Sequence, residues 1–170
     1  SPVLIARDAA KQIPVGALAA ERPVMSPEAA VLTRELMRGV VLSGTGGAVR
    51  GVNGKIGYKG EAIGKTGTTD KELDLWFIGG TPNYASALWV GYDTPTRVGG
   101  SASEIAAPMW GWWMGETHKN LDARPFEGPE FLYRQICTLT GKRPQKGCLS
   151  IRAPFLPGTM PTAISDQCAT

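Results

Sequence analysis

The clearest periodic pattern in the chain begins at Ser26, after which apolar residues recur at spacings of three and four positions. This spacing places them on one face of a helix. The members of this apolar face are Ala29, Leu32, Leu36 and Val40. Ser26 can accept a hydrogen bond from the free amides of a first turn, and Pro27 suits the first helical position. The pattern predicts a helix from Pro27 to about Leu42, ended by a group of glycines that starts at Gly44.

Between positions 61 and 92, three runs predict strands, and the second of them is rich in branched and aromatic residues. The runs are Glu61–Thr68, "ELDLWFIGGT" and "ASALWVGY", and a Pro-Asn turn joins the last two. Short connections of this kind predict three antiparallel strands. The middle run is apolar at both alternating sets of positions, which suits a central strand.

Near its start the chain has weaker signals. Val3–Ala6 is a short apolar run compatible with a strand. The stretch "AKQIPVGALAAERPV" that follows has no periodicity and predicts a loop. The charged and apolar regions of a signal peptide are missing, so we expect that one has been removed or that the chain is a piece of a longer protein.

A second helix is predicted in "SEIAAPMWGWWMGETHK", where Ala106, Trp110 and Trp113 fall on one stripe. The helical spacing favours packing of this aromatic cluster on the sheet. The alternative is a position of Trp110, Trp112 and Trp113 at a membrane surface, which the small number of flanking cations disfavours.

Beyond Asn120 the chain contains prolines, glycines and all the cysteines, and no periodicity persists, which predicts a tail segment wrapped on the domain or trailing from it. A zinc site has too few ligands, because His118 is the single histidine. If the compartment is oxidising, we expect the three cysteines to form one disulfide and leave one free thiol. Three pairings are open, and we favour Cys148 with Cys168, which leaves Cys137 free.

The composition is globular, since 42% of the residues are hydrophobic and no apolar run approaches the roughly 18 residues of a membrane span. A length of 170 residues suffices for one domain with its own core. The net charge of +3 is mild, and Lys and Arg form no run. The charge pattern therefore does not support nucleic-acid binding.

The tripeptide "GKT" at positions 64–66 also ends the Walker pattern of phosphate-binding loops. The first glycine of that pattern would have to stand at position 59, which is Lys59. A phosphate loop also leads into a helix whose N-terminus binds the phosphate, whereas the residues after this motif predict a strand. Both observations exclude a phosphate-binding loop.

Lys65-Thr66-Gly67 is also the Lys-Thr-Gly element of serine acyltransferases that act on penicillin. Its surroundings, "GKTGTTDKELDLWFIGGTPNYASALWVGYD", resemble the C-terminal half of the transpeptidase domain in class A penicillin-binding proteins. The stretches "SPEAAVLTRELMRGVVLSGTGG", "SEIAAPMWGWWMG", "TGKRPQKGCLS" and "PFLPGTMPT" are similar to other parts of the same family. The resemblance implies an α/β fold, part of a penicillin-binding transpeptidase fold like that of serine β-lactamases, with an antiparallel sheet flanked by helices. Residues 1–119 would form the C-terminal portion of the transpeptidase domain, and residues 120–170 its C-terminal tail.

The residue types and the resemblance place a site on the predicted strand. Lys65 would put a cation near the nucleophile and the substrate carboxylate, which the hydroxyls of Thr66 and Thr68 can hydrogen-bond. Gly67 would let the substrate backbone approach where a side chain would collide. The family implies that the N–H of Thr68 helps form the oxyanion hole and that Thr69 belongs to the substrate-binding segment. Lys65 and Thr68 are thus the predicted catalytic residues; the alternative is a solvated lysine among ordinary strand threonines.

The nucleophile of such a site is missing, because no serine begins a Ser-x-x-Lys element and no Ser-x-Asn element is present. In the family both lie N-terminal to the Lys-Thr-Gly strand, so we expect the N-terminal part of the same protein to carry them and this chain alone to be inactive. His118 with Asp70 or Asp74 does not replace them, because no Gly-x-Ser-x-Gly elbow exists and a solvated surface histidine is favoured. Cys137 or Cys148 as a nucleophile is equally unsupported. We assign Asp74 a structural role among the strands.

The resemblance implies a serine-type D,D-transpeptidase of peptidoglycan biosynthesis, with peptidoglycan stem peptides and β-lactam antibiotics as partners. A serine would attack the D-alanyl-D-alanine end of a stem peptide, and an amine of a neighbouring stem would resolve the acyl-enzyme. Neither a metal nor an organic cofactor is needed. The site would lie outside the cytoplasmic membrane, on its periplasmic side, with the membrane anchor and any glycosyltransferase domain upstream. The alternatives are a D,D-carboxypeptidase or serine β-lactamase fragment and a non-catalytic interaction domain.

Overall fold

A computed structural model describes residues 23–52, 56–129 and 131–168 of the chain, together with the strands β1 (Ile5–Asp8) and β2 (Lys11–Pro14). The other elements, in chain order, are helix α1 (Pro27–Ser43), a 3-10 turn (Gly47–Arg50), β3 (Ile63–Thr68), a 3-10 turn (Asp70–Glu72), β4 (Leu75–Gly80), β5 (Ala85–Val90), helix α2 (Ala106–Thr117), β6 (Leu132–Cys137) and β7 (Ser150–Phe155). Neither helix of these described ranges is long and apolar enough to cross a membrane.

Strands β1 and β2 form an antiparallel pair. β1 overlaps the strand predicted at Val3–Ala6, whose first two positions lie outside the described residues. The loop predicted after it is wrong at Lys11–Pro14, and residues 10 and 15–22 of that stretch lie outside the described residues. Pairing with β1 gives the backbone amides and carbonyls of β2 their partners, and this can happen without any side-chain periodicity.

The bounds of helix α1 confirm the predicted helix, but its buried residue is Val41, and Leu36 of the predicted apolar face is 68% exposed. The helix begins at Pro27, and the Oγ of Ser26 accepts a hydrogen bond from the amide of Ala29 at 3.2 Å. It ends at Ser43, where the amide of Gly44 donates to the carbonyl of Val40 at 3.1 Å. The start and end therefore follow from local capping chemistry.

Strands β3, β4 and β5 form one antiparallel sheet in that order, as predicted. The central strand β4 buries Leu75 and Phe77 completely on the face toward the helices. On the opposite face Trp76 and Ile78 are 39% and 53% exposed. The second apolar face of the central strand is thus open to solvent in this chain.

Helix α2 covers the buried face of the sheet, and the ring centroids of Trp110 and Phe77 lie 5.0 Å apart. Ala106 and Trp110 are buried as predicted, but the prediction for Trp113 is wrong, because its side chain is 42% exposed. The buried side of α2 includes Gly111. A Cβ added at Gly111 would come within 2.2 Å of the carbonyl oxygen of Val49. A glycine at this position lets the first 3-10 turn approach the helix, and this contact selects the buried face.

The tail contains regular structure that the sequence pattern does not predict. Strands β6 and β7 form an antiparallel hairpin, in which Pro154 lies opposite Tyr133. A proline argues against a strand in the middle of a sheet, but each strand of a two-stranded hairpin has a free edge where a missing amide is tolerated. The lack of periodicity beyond Asn120 thus gives no indication of these two strands. The division into domains at residues 119 and 120 stays a prediction.

Candidate active-site strand

The Lys-Thr-Gly-Thr sequence lies on β3, at one edge of the three-stranded sheet. Lys65 pairs with Ile78 of β4, and Thr68 pairs with Leu75. Within the described part of the chain, β4 is the single strand that pairs with β3. The other edge of β3 therefore presents backbone amides and carbonyls that an extended peptide can pair with.

Side chains along β3 alternate between the two faces of the sheet. Lys65 and Gly67 lie on the solvent-exposed face, and Lys65 is itself exposed. The Nζ of Lys65 donates a hydrogen bond to the carbonyl of Thr66 at 2.8 Å. This contact is made to a neighbour in sequence, so the ammonium group stays at the surface of the strand.

The two threonine hydroxyls lie on the other face and connect β3 to both helices. The hydroxyls of Thr66 and Thr45 share a hydrogen bond of 2.6 Å, and Thr45 follows the end of α1. The Oγ1 of Thr68 accepts a hydrogen bond from the amide of Ala102 at 3.1 Å, and Ala102 lies just before α2. The position of β3 is therefore set by contacts from the end of one helix and from the approach to the other.

The segment before α2 is itself tightly hydrogen-bonded. The carboxylate of Glu104 accepts hydrogen bonds from the hydroxyl of Ser101 at 2.7 Å and from its amide at 2.8 Å. These two hydrogen bonds, the hydroxyl one first, lower the pKa of Glu104 below its ordinary value because they stabilise the carboxylate. Ser101 directly precedes Ala102, so the Glu104 carboxylate helps hold the amide that binds Thr68.

Thr69 and Asp74 close the connection between β3 and β4. The hydroxyl of Thr69 accepts a hydrogen bond from the amide of Asp74 at 2.8 Å and donates to its Oδ2 at 3.2 Å. The other carboxylate oxygen of Asp74 accepts a hydrogen bond from the indole N–H of Trp89 on β5 at 3.0 Å. These contacts confirm the structural role predicted for Asp74, and a contact of Thr69 with substrate stays a prediction.

The same connection contains two unusual backbone conformations. Lys71 and Glu72 have φ angles of 59° and 57°, in the left-handed region that residues other than glycine rarely adopt. The Oε2 of Glu72 accepts hydrogen bonds from Arg97 at 2.9 Å and from the amide of Gly100 at 3.2 Å. Glu72 thus links this turn to the segment that carries Ala102.

Two glycines of β3 differ in what the fold requires of them. A Cβ added at Gly64 would lie 2.3 Å from the Cζ atom of Phe77, so the core excludes any larger residue there. A Cβ added at Gly67 would meet Trp76 Cβ at 3.4 Å, an ordinary van der Waals distance. Packing within the described residues therefore explains the glycine at position 64 and leaves that at position 67 unexplained.

The prediction of a solvated surface histidine is wrong. The Nε2 of His118 is 3.0 Å from the Oγ1 of Thr81, and its Nδ1 is 2.8 Å from the carbonyl of Met114. Its ring is half-buried and lies 4.7 Å from the ring of Tyr58 and 5.3 Å from that of Tyr84. Nδ1 contacts α2 itself, and Nε2 joins the end of α2 to Thr81 just after β4. His118 therefore has a structural role, and the contact with Thr81 is between residues far apart in the sequence.

The cysteines do not supply a nucleophile at β3. Cys148 and Cys168 form a disulfide with their Cα atoms 4.7 Å apart. Cys137 is a free thiol and is buried in the tail. Hydrogen bonds, first from the Ser165 side chain, lower the pKa of the Cys137 thiol to about 7. Across the described ranges, no three His, Cys, Asp or Glu side chains come together in a way that could hold a metal ion.

The chain is similar in sequence to penicillin-binding protein 1A of several bacteria. The chain is 40% identical over 156 residues to penicillin-binding protein 1A of Clostridium tetani, a match that covers 86% of this chain and 19% of that protein. It is 36% identical over 156 residues to penicillin-binding protein 1A of Clostridium botulinum, with 85% and 18% covered. No family model matches the chain.

A solved structure agrees with these relatives. The crystal structure of penicillin-binding protein 1A from Haemophilus influenzae superposes with a TM-score of 0.60 and 26% sequence identity, over 84% of this chain and 22% of that one. The chain spans about a fifth of the length of the curated relatives it matches, 19% of the first. Its antiparallel sheet with flanking helices is part of a transpeptidase fold. From the Lys-Thr-Gly strand, the shared fold and the sequence identity together, we conclude that the chain belongs to the class A penicillin-binding proteins.

Proposed function

We propose that the protein is part of a D,D-transpeptidase that cross-links peptidoglycan stem peptides through a serine acyl-enzyme. The serine attacks the carbonyl of the penultimate D-alanine and the terminal D-alanine leaves; an amine of a neighbouring stem then takes the acyl group. A β-lactam acylates the same serine because its ring carbonyl occupies the same position. The observation that carries the proposal is the Lys-Thr-Gly-Thr sequence on the free edge of β3.

The edge of β3 aligns the substrate in this proposal. The stem peptide extends along the strand and pairs with its backbone, and Gly67 leaves room for the peptide at a position where the fold itself accepts a Cβ. The exposed ammonium of Lys65 turns from the Thr66 carbonyl toward the nucleophile and the substrate carboxylate. The hydroxyls of Thr66 and Thr68, with Thr69, contact the same end of the substrate. The N–H of Thr68 donates to the oxyanion that forms during acylation.

The remaining parts of the site belong to the N-terminal part of the same protein. That part carries Ser-x-x-Lys and Ser-x-Asn and lies against the chain described here, and this chain alone has no activity. The exposed apolar side chains of Trp76 and Ile78 support the proposal that this N-terminal part covers the open face of the sheet.

The protein acts on the periplasmic side of the inner membrane, with its anchor and a glycosyltransferase domain upstream. The Cys148–Cys168 disulfide supports an oxidising compartment.

Labelling with a fluorescent penicillin tests the proposal directly. The intact protein should become covalently labelled and the isolated chain should not. Lys65→Ala in the intact protein should reduce the acylation rate by about 10²–10³-fold, the usual loss when a preorganised charge is removed from an acyl-transfer site. Lys146→Ala removes an exposed lysine from the tail and should leave labelling unchanged. An unaltered rate in Lys65→Ala would remove Lys65 from the site.

A matched pair of glycine variants separates substrate binding from folding. Gly67→Ala should fold normally and lose acylation, because the added methyl group meets the incoming peptide. Gly64→Ala should lose the fold, because its methyl group overlaps the ring of Phe77. Retained acylation in a folded Gly67→Ala variant would contradict alignment along this strand.

Product analysis separates transfer from hydrolysis. Incubation with a stem peptide and an amine acceptor should give a cross-linked product if the enzyme transfers the acyl group, whereas free acid alone would indicate a carboxypeptidase or β-lactamase.

A further inference from the structure

Positive charge is concentrated in the tail. Residues 131–168 contain five Lys or Arg and a single acidic residue, Asp166, whereas residues 23–129 contain ten basic and eleven acidic residues. Asp166 is already paired, since its Oδ1 lies 3.0 Å from the Nζ of Lys142. The lysine ammonium lowers the pKa of Asp166, as expected for an ion pair. The other four cations of the tail therefore have no carboxylate of their own among these residues.

A cleft of about 710 Å³ lies between β6 and the turn at Gly158. This volume is within the range of ligand-binding sites. Its polar lining includes the side chains of Arg134 and Arg143, and its apolar lining consists of two prolines and a methionine. These apolar residues are Pro144, Met160 and Pro161. The described lining contains no carboxylate, so two guanidinium groups lie at an apolar wall without an acidic partner.

The walls of the cleft are held in place by backbone hydrogen bonds. The amide of Arg143 donates to the carbonyl of Ala163 at 3.0 Å, and the carbonyl of Arg143 accepts from the amide of Ser165 at 2.8 Å. The turn at Gly158 is closed by a hydrogen bond of 3.1 Å from the amide of Thr159 to the carbonyl of Leu156. The Cys148–Cys168 disulfide ties the last described residues to the connection that carries Arg143. A cleft preformed in this way loses little conformational entropy when a ligand binds.

We propose that this cleft binds an acidic peptide segment of a partner protein. Carboxylate side chains of the segment pair with the guanidinium groups of Arg134 and Arg143, and an apolar side chain of the segment lies against Met160 and Pro161. The planar fork of arginine matches a carboxylate with two parallel hydrogen bonds, and methionine adapts to varied apolar side chains.

The shape and lining of the cleft favour a peptide over other anions. Single-stranded nucleic acid is bound by grooves in which aromatic side chains stack on the bases, and the described lining has no aromatic residue. An anionic membrane is bound by a convex or flat surface that inserts apolar side chains, whereas Met160 and Pro161 line a concavity. A peptide can place carboxylates and an apolar side chain in one cleft at the spacing of neighbouring residues.

Fluorescence anisotropy with the full chain tests the proposal. The probe is a fluorescein-labelled peptide in which glutamate alternates with leucine, and its control replaces every glutamate by glutamine. We expect the acidic probe to bind and the control to bind at least about tenfold more weakly, with affinity for the acidic probe falling as salt rises. The double variant Arg134→Ala/Arg143→Ala should weaken binding of the acidic probe by about tenfold or more. Lys146→Ala removes a positive charge outside the cleft and should change the affinity less than about twofold.

A second double variant, Arg134→Lys/Arg143→Lys, keeps the charge and should bind with intermediate affinity, because lysine lacks the planar fork. Circular dichroism and the disulfide content check the fold of each variant. Absence of binding to the acidic probe would overturn the proposal. Equal losses of affinity in Lys146→Ala and in the double alanine variant would also overturn the proposal, because the net positive charge of the tail would then be enough to explain binding of the acidic probe. Tighter, cleft-dependent binding of phosphatidylglycerol vesicles or single-stranded DNA would assign a different partner. None of these outcomes depends on penicillin labelling, so the two proposals stand or fall separately.

Discussion

The unit formed by α1, α2 and the sheet β3–β5 buries Phe77, Trp110 and Met114 completely, whereas the tail from residue 131 onward buries little beyond Cys137 and Leu156. The first unit has a continuous apolar core between the sheet and the helices. The tail is closed by a hairpin, a disulfide and hydrogen bonds between short segments. One part of the chain is therefore stabilised mainly by burial of large side chains, and the other mainly by covalent and polar constraints.

The two regions should therefore respond differently to mutation. Burial of a large side chain contributes in proportion to the apolar area removed from water, so the sheet unit depends on a few core residues. A small segment with little core depends on a cross-link that restricts its unfolded state. The two regions also touch, since the hydroxyl of Tyr133 donates a hydrogen bond to Glu35 of α1.

The largest effect should come from Trp110→Ala in the sheet unit. This change leaves a cavity against Phe77 and removes the hydrogen bond of 2.8 Å from the indole N–H to Ser86, so we expect a loss of about 3–5 kcal/mol in the free energy of unfolding. Denaturation in urea measures it. Trp112→Ala on the same helix is the control, because Trp112 is 56% exposed and should contribute less than about 0.5 kcal/mol. Similar losses in both variants would contradict a core built on the inner face of α2.

The disulfide comes next. Replacing Cys148 and Cys168 by alanine should destabilise the tail by about 3 kcal/mol, the size expected for a cross-link between residues 20 positions apart. Hydrogen exchange should then accelerate in β6 and β7 and stay unchanged in β4, which the core protects. Equal acceleration in both strands would show that the two regions unfold together and would remove the contrast between them.

A smaller effect is expected at the contact between the regions. Tyr133→Phe removes the hydroxyl that donates to Glu35 and should cost about 1 kcal/mol. Burial raises the pKa of Tyr133, so its hydroxyl stays protonated and remains a donor throughout the neutral range. Tyr92→Phe is the matched control, since Tyr92 is exposed and should have no measurable effect. A null result at Tyr133 in urea denaturation would mean that this hydrogen bond does not join the two regions.

The smallest effect is a pH dependence confined to the tail. The pKa of the Cys137 thiol is lowered to about 7 in the folded chain, below the value of about 8.5 of an unfolded cysteine. Over that interval the unfolded state binds more protons, so the stability of the tail should rise as pH increases from 7 toward 8.5 and fall again on acidification. Thermal unfolding or hydrogen exchange in β6 at several pH values measures this slope. Cys137→Ser should remove the dependence of tail stability on pH in this interval. A dependence that persists in the variant would mean that the Cys137 thiol is not its cause.

The two regions also differed in how far their structure could be predicted. Helix α1 follows from Ser26, Pro27 and a stripe within one segment, and its bounds agree with the pattern to within a residue or two. The three strands of the sheet follow from their composition and short turns. The sequence pattern does not reveal the hairpin of the tail, because Pro154 is typical of loops and the connection between its two strands is long.

The sequence by itself determined the order Lys65-Thr66-Gly67-Thr68, the strand that carries it, the absence of Ser-x-x-Lys and the family resemblance, because each depends on residue types at short spacing. Tertiary structure alone decided which faces and partners these residues have. The contact of Thr66 with Thr45, that of Thr68 with Ala102, the buried side of α2 and the position of His118 all depend on segments distant in sequence. Local signals act over a few residues, whereas burial and hydrogen bonding between such segments are set by how the whole chain packs.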